Sequence, residues 1–285
     1  MHMEMAEQKR SVGKTLPARQ GSMARVLRTE LRRAFGGWSV WAGAMLMFGV
    51  LVFPVATDIF QGGNPSASNA IERFLLAFVT SGAPFLAPVI CCLPMGVSFC
   101  DDCATGFGRA MIHRTGMGRY LIGRILATAC SGGCTLFLGM ALYVGFCLLV
   151  FTGSANDPNV AGTLNAYRDS GVYTWLPEGL DAGYWLMAAY AVQYFLWGAV
   201  WAVAALAISS FVANRYAALA LPFIFANALW FLFARLKLYL FAPYSYLHPV
   251  WFFSSYWEVL LGLGVQMALF AGLFYMAGRR RLLYG

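Results

Sequence analysis

Polar residues along this chain fall into a few compact stretches, and long apolar runs lie between them. Six of those runs approach the roughly 20 apolar residues that one helix needs to cross a bilayer. The first is Trp38 to Ala56. The second ends at Phe99 and carries Pro84, Pro88 and Pro94, so it is expected to be kinked or to begin as a broken segment around Ile71 to Gly82. The others are Ile125 to Phe151, Tyr184 to Phe211, Tyr216 to Ala234 with Pro222 inside it, and Val259 to Ala277. Ahead of them, Met23, Val26, Leu27, Leu31 and Phe35 recur at helical spacing, and Arg25, Arg28, Glu30, Arg32 and Arg33 occupy the remaining positions. This pattern predicts an amphipathic helix on the inner leaflet, ended by Gly36 and Gly37.

The fold class that follows is an all-α polytopic membrane protein. A disordered cytosolic tail is expected over residues 1–21, an amphipathic helix over 22–37, and a six-helix transmembrane domain over 38–285. Two polar or mixed connections are expected outside: a loop over 152–183, and an aromatic-rich re-entrant or interfacial element over 236–258, where Pro243 and Pro249 prevent one continuous helix. No internal repeat relates 38–151 to 184–277, which weakens an inverted-repeat secondary transporter.

Composition supports the membrane reading. Of the 285 residues, 60% are hydrophobic and 11% charged, and the mean hydropathy of +0.64 lies outside the range of soluble domains. A formal charge of +8 suggests nucleic acid only where a basic face lies on a soluble domain, and none is left over. The charge instead sets topology. With both termini in the cytosol, sixteen of the twenty basic residues lie inside. The seven cysteines sit within apolar runs or at their cytosolic ends, which argues against a disulfide framework.

The stretch Phe99 to Arg124 is a polar island between two apolar spans, with Arg109, Arg114, Arg119 and Arg124 recurring about every five residues. Short arginine-rich loops of this kind belong in the cytosol. Cys100 and Cys103 form a CxxC with His113 nearby, but a structural zinc site needs four ligands and no second CxxC follows, so the cysteines read as small apolar packers. Gly13, Lys14 and Thr15 mimic the end of a phosphate-binding loop, but Gln8 stands where the motif needs glycine. The histidines His2, His113 and His248 build no HExxH within a span, and His248 faces no serine motif, so intramembrane proteolysis lacks its residues. No metal site is expected. The predicted spans carry no ionisable residue in their interiors, which argues against ion-coupled transport. Gln193, Asn227 and Gln266 are their conspicuous polar residues, suited to interhelical hydrogen bonding or to lining a translocation pathway.

An amphipathic helix, Gly-Gly, a first span, and a proline-bearing second span ending at Phe99 with Asp101 and Asp102 follow one another here. Gly106, Arg114, Tyr120 and Arg124 then lead into the third span. This order resembles the type-2 permeases of ATP-binding-cassette (ABC) transporters. The resemblance covers most of the chain in architecture and Phe99 to Arg124 in motif. It implies an elbow helix at Arg25, Arg28, Glu30 and Arg32, and a coupling loop over 100–119. Asp101, Asp102, Gly106, Arg109 and Arg114 would serve ATPase coupling there, with a helix from Ala104 to Thr115. It also implies pairing with a second permease copy or a homologous permease, and binding to two ABC ATPase subunits.

The expected function is therefore the permease subunit of an exporter in a bacterial cytoplasmic membrane, moving an amphipathic peptide, lipid or drug by alternating access. The chain itself is expected to be no enzyme and to bind no cofactor; ATP and Mg belong to the partner ATPase. The runner-up reading is a non-transporting membrane scaffold or sensor whose basic loop docks a regulatory protein.

Overall fold

The computed structural model describes residues 23–62, 68–152, 158–178 and 181–284. The tail expected over residues 1–21 lies outside them. Among the described residues the regular structure is helical, with one isolated bridge between Asn69 and Thr152 and no strand. Helix α1 spans Met23–Phe35 and α2 Ser39–Phe60; α3 (Ala70–Thr80), α4 (Ala83–Ile90), α5 (Ser98–Ala104) and α6 (Phe107–Thr115) are short. They are followed by α7 (Met117–Val150), α8 (Pro158–Asp169), α9 (Asp181–Ser209), α10 (Arg215–Arg235) and α11 (Tyr256–Tyr284).

Five of these helices, α2, α7, α9, α10 and α11, are long and apolar enough to cross a membrane. A sixth span exists only if α3 and α4 count as one, and they meet at a bend of 74°. The expected second span is thus divided. Asn69 caps α3 by accepting from Ile71 N at 2.8 Å, α3 ends at Ser81 and Gly82, and Pro84 sits in the first turn of α4, where a missing N–H costs nothing. Turns over 91–97, which contain Pro94, then separate α4 from α5.

Helix α9 is apolar on every side, and 78% of its apolar window is buried. It is the axis of the bundle, packed against α7, α10 and α11. Small residues carry the α7–α9 contact: a Cβ on Gly132 would meet Gly198 O at 3.1 Å, and one on Gly198 would meet Gly132 O at 3.0 Å. By contrast only 17% of the corresponding window of α10 is buried, so most of that helix presents apolar surface outward. Such a surface suits lipid or another apolar protein face.

Helix α1 packs along α7 through Val26, Glu30 and Ala34, one residue per turn. Leu27 and Leu31 are half-buried and Phe35 is exposed. The sequence expectation placed Glu30 on the polar face; it lies in the buried stripe, because its partner Arg124 is there to receive it. Gly123 makes the close approach possible, since a Cβ there would come within 2.9 Å of Val26 Cγ1. Gly123→Ala is expected to destabilise the protein by about 1–3 kcal/mol through overpacking. Adding Val26→Ala should restore most of the loss, as read by thermal unfolding in detergent.

Candidate functional site

The chain alternates direction, which brings the start of α2, the end of α5, the start of α7, the end of α9 and the end of α11 to one end of the bundle. Arg281 of α11 shows this directly: its Nη1 donates to Ser209 O at 2.8 Å and Val212 O at 3.0 Å, capping α9. At this end four charged side chains from three helices meet. Asp102 of α5 takes Arg33 Nη2 of α1 on Oδ1 at 2.8 Å, and Arg124 Nη2 of α7 lies 2.7 Å from its Oδ2. Arg124 Nη1 donates to Glu30 Oε2 of α1. The hydroxyl of Tyr120 donates to Asp102 Oδ2 at 2.6 Å.

Two guanidinium groups balance two carboxylates, so the cluster is formally neutral. That neutrality lets Arg124 and Glu30 be fully buried, and Asp102 nearly so, at a site where one unpaired charge would cost several kcal/mol. Arg33 is the member at the surface, with 36% of its side chain exposed. Its guanidinium also lies 4.5 Å from the centroid of the Phe107 ring, the first residue of α6. The cluster therefore joins α1, α5 and α7 and touches α6. Among the described residues, Glu30 Oε1, Arg124 Nε and Arg124 Nη2 have no hydrogen-bond partner, so the contact of Arg124 Nη2 with Asp102 is an ion pair only.

Helix α6 is shorter than the Ala104–Thr115 helix expected from sequence. The chain turns at Gly106, whose φ of 72° favours glycine, and the helix begins at Phe107. Gly116, at φ 85°, separates it from α7. Gly108 faces Leu282 and Tyr120, which seats one side of α6 on the bundle. Arg109, His113 and Arg114 are exposed, and among the described residues no ion pair engages Arg109 or Arg114. Asp101 is half-buried and outside the cluster, so the acidic pair divides: Asp102 is internal, Asp101 peripheral.

Arg25, Arg28 and Arg32 are exposed on α1, as the amphipathic pattern predicts. Arg124 is a correction. It was expected in a polar loop, with the third span starting after it, but α7 begins at Met117 and carries Arg124 about two turns inside. Arg124 precedes the Ile125 to Phe151 span read from the sequence, in a helix whose 34 residues exceed what one crossing needs. The seven cysteines are unpaired, and no cluster of metal-ligating residues occurs among the described residues. Cys100 lies against Ser209 O and Val212 O, and burial raises the thiols of Cys100 and Cys103.

Of the three amide residues read from the sequence within the long helices, two bond to the aromatic connection and one bonds within its own helix. Gln193, buried, donates to Tyr246 O and accepts from Tyr173 Oη at 3.2 Å. Gln266 Nε2 lies 3.4 Å from Leu240 O. Both tie the aromatic connection to the helices, as does Trp197 Nε1, which donates to Pro243 O at 2.8 Å. Asn227 bonds back to Phe223 O of its own helix at 2.8 Å. The connection is compact, with 3-10 turns at Pro243–Tyr246 and Pro249–Trp251. The 158–169 part of the other expected loop forms α8.

The charge cluster was not foreseen. Its members lie 69 and 94 residues apart in the two long-range hydrogen-bonded pairs. The available signal was Glu30 itself, the one acid in Met23–Phe35, placed four residues from both Val26 and Ala34. No protein-family model, no curated protein and no solved structure matches this chain.

Proposed function

We propose that the chain is the membrane subunit of an ATP-driven type-2 ABC exporter, with both termini on the cytosolic side of a bacterial cytoplasmic membrane. The observation that carries this reading is the neutral, buried ion cluster that makes α1, α5 and α7 one mechanical unit beside α6. A subunit pushed from the cytosol needs a small exposed element to receive the push and a stiff joint to pass it on. Helix α6, with Arg109 and Arg114 exposed and a glycine at each end, suits the first role. The cluster suits the second, because it ties three helices together through charges whose attraction is strong in a low-dielectric site.

In this reading closure of a separate ATPase dimer displaces α6 and α1 together. The displacement passes through Arg33, Asp102 and Arg124 into α5 and α7, whose rotation against the rest of the bundle opens the site outward. ATP and Mg are held by the partner ATPase, and this chain performs no hydrolysis. A second copy or a homologous permease covers the outward apolar surface of α10 and encloses the path of an amphipathic peptide, lipid or drug.

Combining Arg109→Glu with Arg114→Glu is expected to lower ATPase stimulation by roughly tenfold or more, since charge reversal replaces attraction with repulsion at the docking face. Membrane insertion and thermal stability should be unchanged, because both side chains are exposed. Undiminished stimulation in the double variant would remove α6 from the coupling step.

A further inference from the structure

At the end of the bundle that holds the charge cluster, a cavity of about 240 Å³ opens between α5, α6, the α9–α10 connection and α11. Two guanidinium groups from different helices line it, Arg109 of α6 and Arg281 of α11. Among the described residues neither forms an ion pair. Arg109 is exposed, whereas Arg281 is half-buried and held in place. Its bonds to Ser209 O and Val212 O use the two N–H groups of Nη1, and a guanidinium carries five. Neither Nη2 nor Nε is a fully buried unpaired atom, and the nearby Cys100 thiol is only a weak partner, so this edge of Arg281 is left for a guest.

The other groups in the wall do not cancel this positive charge. Asp102 lines the cavity too, but it is almost fully buried and its oxygens are taken by Arg33, Arg124 and Tyr120. Its neighbour Asp101 is not part of the wall, and among the described residues it pairs with neither arginine. Burial raises the thiols of Cys100 and Cys103, so near pH 7 neither adds a negative charge. Arg215, Arg279 and Arg280, exposed and close in sequence to the lining residues Ala213 and Arg281, extend the same basic field.

We propose that this cavity binds a phosphate group, held between Arg109 and Arg281. A phosphate carries anionic oxygens on several sides and accepts from guanidinium groups on two helices at once, whereas a carboxylate presents one planar fork. The bound group would tie α6 to α11, which already approach each other where Gly108 faces Leu282. A lipid headgroup and a soluble phosphate offer the same chemistry. Exposed apolar side chains at Phe211 and Leu283, each two residues from a lining residue, favour the lipid, because acyl chains would lie along them. The site binds its ligand whether or not the chain transports anything, so its test is independent of any ATPase.

The full-length protein in dodecyl maltoside micelles would be titrated by calorimetry at pH 7 with dioctanoyl phosphatidic acid, dioctanoylglycerol and dioctanoylglycerol hemisuccinate, which share their chains and differ in the head group. Saturable binding of the phosphatidic acid is expected, roughly tenfold tighter than the uncharged lipid and several-fold tighter than the carboxylate. Arg109→Gln, at an exposed position, should keep the fold and weaken that binding roughly tenfold. Arg280→Gln removes the same charge outside the cavity and should change it by less than about twofold. Equal affinities for the phosphate and either comparison lipid, or equal losses in the two variants, would overturn the proposal; the wild-type comparison needs no variant to fold. A parallel titration with inorganic phosphate identifies the source. Binding weaker than that of the lipid indicates a headgroup, and equal or tighter binding indicates a soluble phosphate.

Discussion

Asp102→Ala will be among the most damaging single substitutions in the chain, costing ~3–5 kcal/mol of stability. Asp102 is the node of the cluster: it holds Arg33, lies against Arg124 and accepts from Tyr120. Without it, two guanidinium groups face the single carboxylate of Glu30, and Arg124 has no exposed surface through which water could compensate. In detergent the unfolding midpoint should fall by on the order of 10 °C. Asp102→Asn separates charge from shape. It keeps the volume and an acceptor for Tyr120, yet it should remain strongly destabilised because the net positive charge is the same as in the alanine variant. Arg33→Ala, by contrast, should cost below about 1 kcal/mol, since that side chain is about a third exposed and solvent screens it. A flat profile across Asp102 and Arg33 would show that the cluster carries no more than surface pairs do.

The second large effect is functional. Gly106→Pro is expected to abolish ATPase stimulation while the protein still inserts in the membrane. Gly106 sits at φ 72°, and proline holds φ near −65°, so the turn that starts α6 cannot form with the substitution in place. The damage should be local, because a Cβ at this position meets nothing within 4 Å and packing elsewhere is untouched. Gly106→Ala should show an intermediate loss, as alanine reaches the left-handed region at a cost of about 1–2 kcal/mol. Fluorescence-detected chromatography checks that the protein is folded, and ATP turnover of the reconstituted complex reads the loss. Wild-type turnover in the proline variant would mean that the turn between α5 and α6 takes no part in coupling.

Much of the architecture was legible because a bilayer imposes long apolar runs, and such runs stand out whatever their tertiary partners. The starts of α9, α10 and α11 fall within a few residues of the sequence expectation, and Pro84 with Gly82 marked the α3–α4 break. The start of α7 was misplaced by eight residues, from Met117 to Ile125, for a physical reason. Arg119 and Arg124 read as loop residues when each arginine is assumed to need water. Arg124 instead is solvated by Glu30 and Asp102, which no local window contains. Glu30 was misassigned by the same logic. The exposed residues Arg25, Arg28 and Arg32 followed the amphipathic pattern, and Arg109 and Arg114 the polar stretch in which they were read, because a surface position depends on little besides its own helix. Gln193 and Gln266 were legible as polar residues within spans, but their partners, Tyr246 O and Leu240 O, belong to a connection whose path is set by tertiary packing.

The most direct test of the central claim is to recover the intact protein from native membranes in mild detergent, with and without cross-linking, and to identify what accompanies it by mass spectrometry. The permease reading predicts an ABC-type ATPase in about equal stoichiometry, lost when Arg109 and Arg114 are both reversed to glutamate. If no ATPase is recovered even after cross-linking, that reading is contradicted, and a scaffold or sensor whose basic helix α6 docks a different protein takes its place.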